Sequence, residues 1–271
     1  APAHDSIPTL RIPSPHENEA REGPGGGGGS LTILPHRALS LHAAFTEVVR
    51  KTANSSSPLA AASFPAELYN TCKRDYVNAQ DKAQEQWWTA RPLLTHTLAT
   101  CCNVEFELFA NPMTLSTIPQ RLSAHAKDWV FGFTHDCLRD AAGATRRWAD
   151  VAQKHADDRG APNSLVAMYA NPEYATQLTL LLEYAQAMLR DGNTMGTAVR
   201  LFAFVPIGHK HLQMPKIEEH LGTLLVLFGN DCYDFLPFAH WQGQGHSNAA
   251  YSHGAPLQMG LVMWETETAR I

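Results

Sequence analysis

Two Asn-Pro steps, each placed directly after an apolar stretch, carry the side chains that could do chemistry in this sequence. Ala110-Asn111-Pro112 follows the stretch 104–109, and Asn171-Pro172-Glu173-Tyr174 follows the stretch 165–170. An asparagine side-chain oxygen and the carbonyl of the following proline can together accept both N–H groups of a planar amine. An aromatic side chain beyond them can stack on the ring that carries the amine. The second step therefore predicts a site that orients an aromatic amine, although the same dipeptide also ends strands without further function.

The first hundred residues divide into a tail and a segment rich in helix formers. Residues 1–30 are rich in proline and close with a glycine run, a composition that predicts a flexible tail or linker. From Leu31 the pattern predicts a mostly helical domain over 31–100. Its expected elements are a short strand over 31–34 and helices over 38–51, 65–77 and 81–99.

From Cys101 to the end, strands alternate with helices. The predicted strands cover 104–110, 128–133, 165–170, 199–205, 223–228 and 257–264. The predicted helices cover 115–127, 144–156 and 175–190, the last of them stopped by Asp191-Gly192-Asn193. This alternation predicts an α/β domain over 101–271 with a mainly parallel, doubly wound sheet, in which the last two strands pair as a hairpin. Such sheets bind ligands at the carboxyl ends of their strands, where both Asn-Pro steps fall.

Composition excludes several classes of protein. The 271 residues include 21 Lys+Arg against 26 Asp+Glu, and the formal net charge of -5 argues against a broad basic surface for nucleic acid. No apolar run approaches the ~18 to 20 residues of a membrane span, and the start of the chain lacks the apolar core of a signal peptide. The five cysteines are an odd number without a C-x-x-C pair, so we expect neither a disulfide framework nor structural zinc. These features predict a nuclear or cytoplasmic protein.

Other candidate sites have simpler interpretations. The histidines of the carboxyl-terminal part have no carboxylate or cysteine at ligand spacing, so no metal site is predicted. Adjacent tryptophans at Trp87-Trp88 point to opposite sides of an element, which favours a core position for one of them. A basic group around Arg146-Arg147 could line an RNA path or form a solvated helix face. A serine hydrolase is not supported, because the chain has no Gly-x-Ser-x-Gly elbow.

Five short motifs, in matching order and spacing, resemble the cap-specific mRNA adenosine N(6)-methyltransferase family of the phosphorylated-CTD-interacting-factor type. The resemblance extends over roughly 31–264. The segment 104–113 is similar to the first strand and Phe-Ala-Ser-Pro-Leu turn of the family, and Tyr169-Ala170-Asn171-Pro172 to its Glu-Ala-Asn-Pro-Pro-Phe motif. Three further motifs resemble family segments, namely Asp128 with Phe131-Gly132, Phe202-Ala203-Phe204-Val205-Pro206 and Leu236-Pro237-Phe238-Ala239-His240.

This resemblance implies a Rossmann-like class I methyltransferase sheet with an N-terminal mostly helical domain. It implies S-adenosylmethionine-dependent methyl transfer to the exocyclic amine of adenosine in RNA, at or near the cap, with capped mRNA or another adenosine-containing RNA as the partner. The lack of a long apolar run predicts no membrane partner, and an inactive homologue would have a protein as a possible further partner. The catalytic residues that it implies are Asn171, Pro172, Glu173 and Tyr174. The cofactor-binding residues that it implies are Phe109, Ala110, Asn111, Pro112 and Asn171, and the substrate-binding residues are Pro206, Ile207, Gly208, His209 and His240.

The chain departs from the family pattern at several places, among them Tyr174 in place of the motif's Phe and Trp241-Gln242-Gly243 in place of its Glu-Tyr-Arg. Glu173 stands where the motif has its second proline, and Pro206-Ile207-Gly208-His209 replaces Pro-Glu-Trp-Arg. An alternative function is therefore a catalytically inactive homologue of the same fold that binds RNA or a protein. A methyltransferase that acts on DNA or on a small molecule is a third possibility, because one fold hosts many functions.

Overall fold

A computed structural model shows an α/β protein, in agreement with the predicted fold class. The residues that the structure describes are 10–13, 30–33, 35–52, 63–72, 88–90, 92–112, 116–135, 137, 147–160, 164–172, 177–207, 217, 219–220, 222–228, 233–235 and 259–270. The strands are β1 (Leu10–Pro13), β2 (Ser30–Ile33), β3 (Trp88–Ala90), β4 (Val104–Leu108), β5 (Gln120–Ser123), β6 (Thr134–His135), β7 (Val166–Ala170), β8 (Val199–Pro206), β9 (Thr223–Leu227), β10 (Tyr233–Phe235) and β11 (Met259–Glu265). The helices are α1 (Pro35–Thr52), α2 (Phe64–Cys72), α3 (Pro92–Cys101), α4 (Trp148–Arg159) and α5 (Gln177–Met195), with 3₁₀ helices at Ala126–Phe131 and Glu267–Arg270.

A mixed sheet of six strands, extended by the two-residue strand β6 at one edge, forms the centre of the structure. Its strand order is β6-β5-β4-β7-β8-β11-β9. The first five strands in this order run parallel to one another, whereas β11 runs antiparallel to both β8 and β9. The predicted, mainly parallel sheet is confirmed. The last two predicted strands do pair with each other, but β11 also lies against β8.

The direction in which the chain adds strands reverses between β4 and β7. From β4 the chain continues to β5 and β6 on one side, and β7 and β8 follow on the other side. β4 and β7 are neighbours, with Leu108 opposite Ala170 at their carboxyl ends. Such a reversal leaves a crevice beyond the carboxyl ends of the two strands, because the segments that follow them turn to opposite sides.

Helices cover both faces of this sheet. On β4, the ring centroid of Phe106 lies 5.1 Å from that of Trp148 in α4. The charge of the next residue, Glu107, interacts instead with that of Arg37 in α1. Because successive side chains of a strand point to opposite faces, α1 and α4 lie on opposite faces of the sheet. All five residues of β7 are buried between these layers, as expected for a central parallel strand.

Four residues of the predicted flexible tail form a strand. β1 pairs antiparallel with β2, with Leu10 opposite Ile33, and Ile12 and Ile33 are both buried. The composition of 1–30 hides this element, because it is the partner strand beyond the glycine run that satisfies the backbone of β1. The prediction of a tail without regular structure is therefore wrong for Leu10–Pro13.

Tertiary pairing also overrides the helix predicted over 81–99. Residues 81–87 lie outside the described residues, but Trp88–Ala90 is a strand that pairs antiparallel with β10, so the helix is wrong there. The helical part begins at Pro92, where the missing N–H of proline removes no intrahelical hydrogen bond. The helices predicted over 38–51 and 65–77 are confirmed as α1 and α2, with residues 73–77 outside the described part.

The segment after β4 differs most from expectation. A helix was predicted over 115–127 and a strand over 128–133, but the structure has β5 followed by the 3₁₀ helix Ala126–Phe131. Pro119 has no N–H to donate and opposes a helix through the middle of 115–127. The apolar run 129–133 is too short for its periodicity to separate a strand from a helix. Gly132, at φ 82°, ends the 3₁₀ helix.

The remaining predicted elements of the sheet domain are confirmed, although several boundaries differ; β4, for example, ends at Leu108 and not at residue 110. The strands predicted over 104–110, 165–170, 199–205, 223–228 and 257–264 are β4, β7, β8, β9 and β11, and the helix over 144–156 is α4. α5 continues past Gly192 to Met195. Gly192 does not end the helix but allows close packing, since a Cβ at this position would lie 2.5 Å from Thr266 Cγ2. Gly196, at φ 67°, ends the helix instead.

Candidate functional site

The structure brings the two Asn-Pro steps to neighbouring strand ends. Because Leu108 lies opposite Ala170, the turns after β4 and β7 start at the same edge of the sheet. We call residues 109–112 the β4 turn, residues 171–172 the β7 turn, and the two together the ligand edge. The ligand edge is the place where the chain reverses direction, which is where open α/β sheets bind ligands.

The β4 turn has a strained backbone. Phe109 adopts a φ of 60°, in the left-handed region that bulky side chains seldom adopt. The Ala110 N–H donates a hydrogen bond of 2.9 Å to the Leu122 carbonyl of β5. Phe109, Ala110 and Pro112 are buried, and the side chain of Asn111 is half-buried. Such strain persists only where the surroundings enforce it, and it is concentrated at ligand sites.

The β7 turn follows a strand with almost no accessible surface. Tyr169 and Ala170 are 1% and 0% exposed, so Asn171, which is half-buried, is the first residue after them with accessible surface. Pro172 is buried again. The predicted site residues that lie outside the described residues are Glu173, Tyr174, Gly208, His209 and His240.

The predicted substrate residues after β8 are held against β11. Pro206 is the last residue of β8 and lies opposite Met259. Ile207 is buried, and a Cβ on Gly260 would lie 2.5 Å from its Cγ1 atom. Ile207 therefore packs directly on the backbone of β11. Its role in substrate binding stays a prediction.

A cluster of charged side chains that the sequence patterns did not indicate adjoins the β4 turn. Arg37 and Glu107 are 5% and 2% exposed, and Glu107 lies opposite Arg121 in the parallel pair of β4 and β5. The guanidinium carbons of Arg37 and Arg121 lie 5.8 and 5.1 Å from the ring centroid of Phe133, within the range of cation–π interaction. We call Arg37, Glu107, Arg121 and Phe133 the charge cluster.

Arg37 connects the charge cluster to the ligand edge. Its Nε donates a hydrogen bond of 2.9 Å to the Pro112 carbonyl, and its Nη2 donates one of 3.0 Å to the Asn111 carbonyl. A guanidinium presents these donors in a fixed plane, so the two bonds restrict both peptide units. A residue of the first turn of α1 thus fixes the backbone of the β4 turn.

Burial outweighs electrostatic attraction within the charge cluster. Burial raises the pKa of Glu107 to about 7, although a hydrogen bond with Ser116 and the charges of Arg37 and Arg121 act in the opposite direction. Burial, and then the charge of Arg121, lower the pKa of Arg37 to about 10. Glu107 therefore changes its charge near neutral pH, as groups at functional sites often do.

One sequence signal could have revealed part of this cluster. In the alternating run 104–108 the two glutamates are two residues apart, and Glu105 lies near the surface, where it accepts a 2.6 Å hydrogen bond from Arg159. A central parallel strand is covered on both faces, however, so a glutamate at Glu107 had to be either buried or next to an opening. No sequence pattern indicated Arg37, because its partners in the β4 turn are more than 70 residues away along the chain.

The end of β5 forms a small hydrogen-bonded motif beside the ligand edge. The Ser123 hydroxyl donates a 2.5 Å hydrogen bond to Asp128 Oδ2 and accepts one of 3.0 Å from the N–H of His125. Ser123 and Asp128 are fully buried, so this motif fixes the entry into the 3₁₀ helix. Asp128 was predicted to lie on a strand, but it lies in the 3₁₀ helix Ala126–Phe131.

The remaining candidate chemistry lies mostly outside the described part of the chain. Among the residues that the structure describes, no group of three His, Cys, Asp or Glu side chains is arranged to hold a metal ion. The described helices include none that is both long and apolar enough to cross a membrane. Trp87 and Arg146 lie outside the described residues, whereas Arg147 is exposed at the start of α4.

Comparison with protein-family models and with curated protein sequences finds no match to this chain.

Proposed function

We propose that the protein transfers a methyl group from S-adenosylmethionine to the exocyclic amine of an adenosine in RNA, at or near the mRNA cap. The observation that carries this proposal is the position of Asn171-Pro172 beside the β4 turn, at the reversal point of the sheet. A methyl transfer requires the donor and the acceptor to meet at one place, and two neighbouring turns provide such a place. The resemblance of both turns to adenosine N(6)-methyltransferases supplies the chemistry.

The β4 turn has features that fit a bound S-adenosylmethionine. Its backbone is already ordered by the Arg37 hydrogen bonds and the Ala110–Leu122 hydrogen bond, which lowers the entropy cost of binding. The amide of Asn111 can both donate and accept hydrogen bonds. Phe109, Ala110, Asn111 and Pro112 would border the methionine part, with Asn171 across the ligand edge. When bound, this cofactor supplies a methyl group activated by a sulfonium.

The β7 turn would orient the adenine. The Asn171 side-chain oxygen and the Pro172 carbonyl would accept the two N–H groups of the exocyclic amine and direct its lone pair at the methyl group. Tyr174 would stack on the base and prevent its rotation. The carboxylate of Glu173 would favour a nearby sulfonium electrostatically. Pro206, Gly208, His209 and His240 remain predicted contacts of the RNA.

The order of the strands supports a Rossmann-like sheet for this domain. In sequence order, the five parallel strands occupy the positions third, second, first, fourth and fifth, which is the doubly wound arrangement. The antiparallel strand β11 then lies between β8 and β9. Because this arrangement hosts many reactions, the Asn-Pro motif of the β7 turn, and not the sheet, favours methyl transfer.

A specific residue favours the second candidate, a catalytically inactive homologue that acts as an RNA- or protein-binding subunit. Glu173 replaces the second proline of the family motif, and a carboxylate beside the target amine can hinder binding of the RNA phosphates. Methylation of DNA or of a small molecule would use the same ligand edge with another acceptor.

Calorimetric titration with S-adenosylmethionine, followed by methylation assays on capped and uncapped adenosine RNA, tests the proposal. We expect micromolar binding and formation of N(6)-methyladenosine. Absence of methylation by the wild type, together with activity in Glu173→Pro, would identify an inactivated enzyme. RNA binding without any S-adenosylmethionine binding would support the inactive homologue and refute the proposed reaction.

A further inference from the structure

The hydrogen bonds of Arg37 join parts of the chain that are far apart in sequence. Its donors reach carbonyls 74 and 75 residues further along the chain, and the Nε bond is buried. Both acceptors belong to the β4 turn, so Arg37 acts on the backbone that presents Asn111. Phe109, in the same turn, has the strained φ of 60°.

Charged and titratable groups from three other elements act on Arg37. Arg121 faces it from β5, Glu107 from β4 and Cys72 from α2, and all three act electrostatically on its charge. On the other side of Glu107, Tyr169 of β7 lies opposite it in the sheet. In this set Glu107 is the carboxylate that offsets two guanidinium charges. Its Oε2 atom is buried without a hydrogen-bond partner in the described part of the chain.

This arrangement costs stability. Taking the charges of Arg37 and Glu107 out of water is unfavourable, and apolar side chains of similar volume would pack at the same place without that cost. A purely structural contact would therefore not require a guanidinium here. The property that apolar side chains lack is the ability to fix two adjacent carbonyls in direction.

We propose that Arg37 is a positioning residue of the ligand edge, which fixes the Asn111 and Pro112 carbonyls from helix α1 with Glu107 as its counter-charge. The role in cofactor binding rests on the proposed function, whereas the ordering of the β4 turn does not. The role predicts that the order of the β4 turn depends on the two Arg37 hydrogen bonds. A variant that removes the guanidinium leaves the two carbonyls without their donor and Glu107 without one of its charge partners, so it loosens the β4 turn and also lowers thermal stability.

The test compares Arg37→Met and Arg37→Lys with Arg50→Met, a matched control on an exposed arginine of the same helix. Hydrogen exchange of the amides of residues 109–111 measures the order of the turn, and calorimetry measures binding of S-adenosylmethionine. In Arg37→Met, under conditions in which the protein remains folded, we expect at least tenfold faster exchange at these amides and at least tenfold weaker binding. Arg37→Lys should show an intermediate effect, because one ammonium cannot reproduce the planar pair of bonds. Arg50→Met should match the wild type.

A pH series with Glu107→Gln separates positioning from simple packing. Because the pKa of Glu107 is raised to about 7, the wild type has a neutral side chain at pH 6 and a charged one at pH 8.5. We expect the affinities of wild type and Glu107→Gln to agree at pH 6. At pH 8.5 the wild type should bind at least threefold more tightly, since the counter-charge then holds Arg37 in place.

Specific outcomes of these experiments would overturn the positioning role of Arg37 or the proposed function. Unchanged exchange at residues 109–111 in both Arg37 variants would overturn the proposal, as would an equal loosening in Arg50→Met. If Arg37→Met does not fold, the comparison of Arg37→Lys with Arg50→Lys gives the same decision. The wild type could fail to bind S-adenosylmethionine while the Arg37 variants still show faster exchange at residues 109–111. That result would support the positioning role and refute the proposed function.

Discussion

β4 and β7 are neighbours in the sheet and both lead into an Asn-Pro step, but they are built from different residues. β7 is apolar along its whole length, and all its residues are buried. β4 contains Glu105 at the surface and Glu107 in the interior. The turn after β4 is also tied to α1 by Arg37. The same dipeptide therefore follows a strand held by close packing in one case and a strand bearing a buried charge in the other.

The two strands are therefore expected to contribute differently to the stability of the protein and to its dependence on pH. Close-packed apolar side chains contribute to stability at any pH, since nothing in them titrates. A buried carboxylate reduces stability when it ionises, but it can balance a guanidinium that orders a turn. We therefore expect substitutions in β7 to affect folding and those in β4 to affect the pH dependence of the ligand edge. Four predictions test this contrast.

The largest effect is expected in the core of β7. Met168 is 0% exposed, and Met168→Ala removes packed atoms that the surroundings cannot fully replace. The free energy of unfolding should fall by about 3 kcal/mol, measured by urea denaturation. Met195→Ala, at the exposed end of α5, is the control and should change little. A loss below about 1 kcal/mol in Met168→Ala would show that β7 is not the packing centre.

The next effect distinguishes the two asparagines. Asn171→Ala removes an acceptor used in the transition state and should lower turnover at least ~100-fold, or about 2.7 kcal/mol, with little change in cofactor affinity. Asn111→Ala should instead weaken S-adenosylmethionine binding. Asn70→Ala, on the exposed side of α2, serves as the control. Methylation that persists in Asn171→Ala would mean that the acceptor site lies elsewhere.

Glu107→Gln should change the pH dependence of stability. The pKa of Glu107 rises from 4.5 to about 7 on burial, so the folded state holds the proton more tightly than the unfolded chain. The free energy of unfolding of the wild type should therefore be highest below the unfolded-state pKa and fall until pH 7 is passed. Above that pH, Glu107→Gln should be more stable by up to roughly 3 kcal/mol, because the pKa shift from 4.5 to about 7 corresponds to that difference. Urea denaturation of both proteins from pH 5 to 8.5 measures this difference. If the two free energies of unfolding change with pH in the same way, the prediction is contradicted.

The smallest effect is expected at the other glutamate of the same strand. Glu105 pairs with Arg159 at 2.6 Å, but their side chains are 27% and 49% exposed. Surface ion pairs of this kind contribute less than about 1 kcal/mol, so Glu105→Gln should hardly change the urea midpoint or its pH dependence. A response as large as that of Glu107→Gln would remove the distinction between the two glutamates.

Much of the sheet domain could be predicted from local pattern. The continuous apolar run before Asn171 predicted a central buried strand, and the helical spacing of leucines after it predicted α5, both of which the structure confirms. Placing the two Asn-Pro steps at one edge required only that these strands be parallel neighbours. Gly192 was the misleading signal, because a glycine that allows close approach and a glycine that ends a helix look alike in sequence.

Local sequence pattern is sufficient to assign most of the sheet strands and the long helices, and to identify the dipeptides that follow β4 and β7. These are local properties, since the periodicity and apolar content of a segment decide what it can bury. The strands Leu10–Pro13, Trp88–Ala90 and Gln120–Ser123 could not be assigned in this way, because each depends on a partner strand from elsewhere in the chain. The tertiary structure alone also brought Arg37 to the β4 turn. Whether a charge is buried depends on what covers it, and that covering comes from residues distant in sequence.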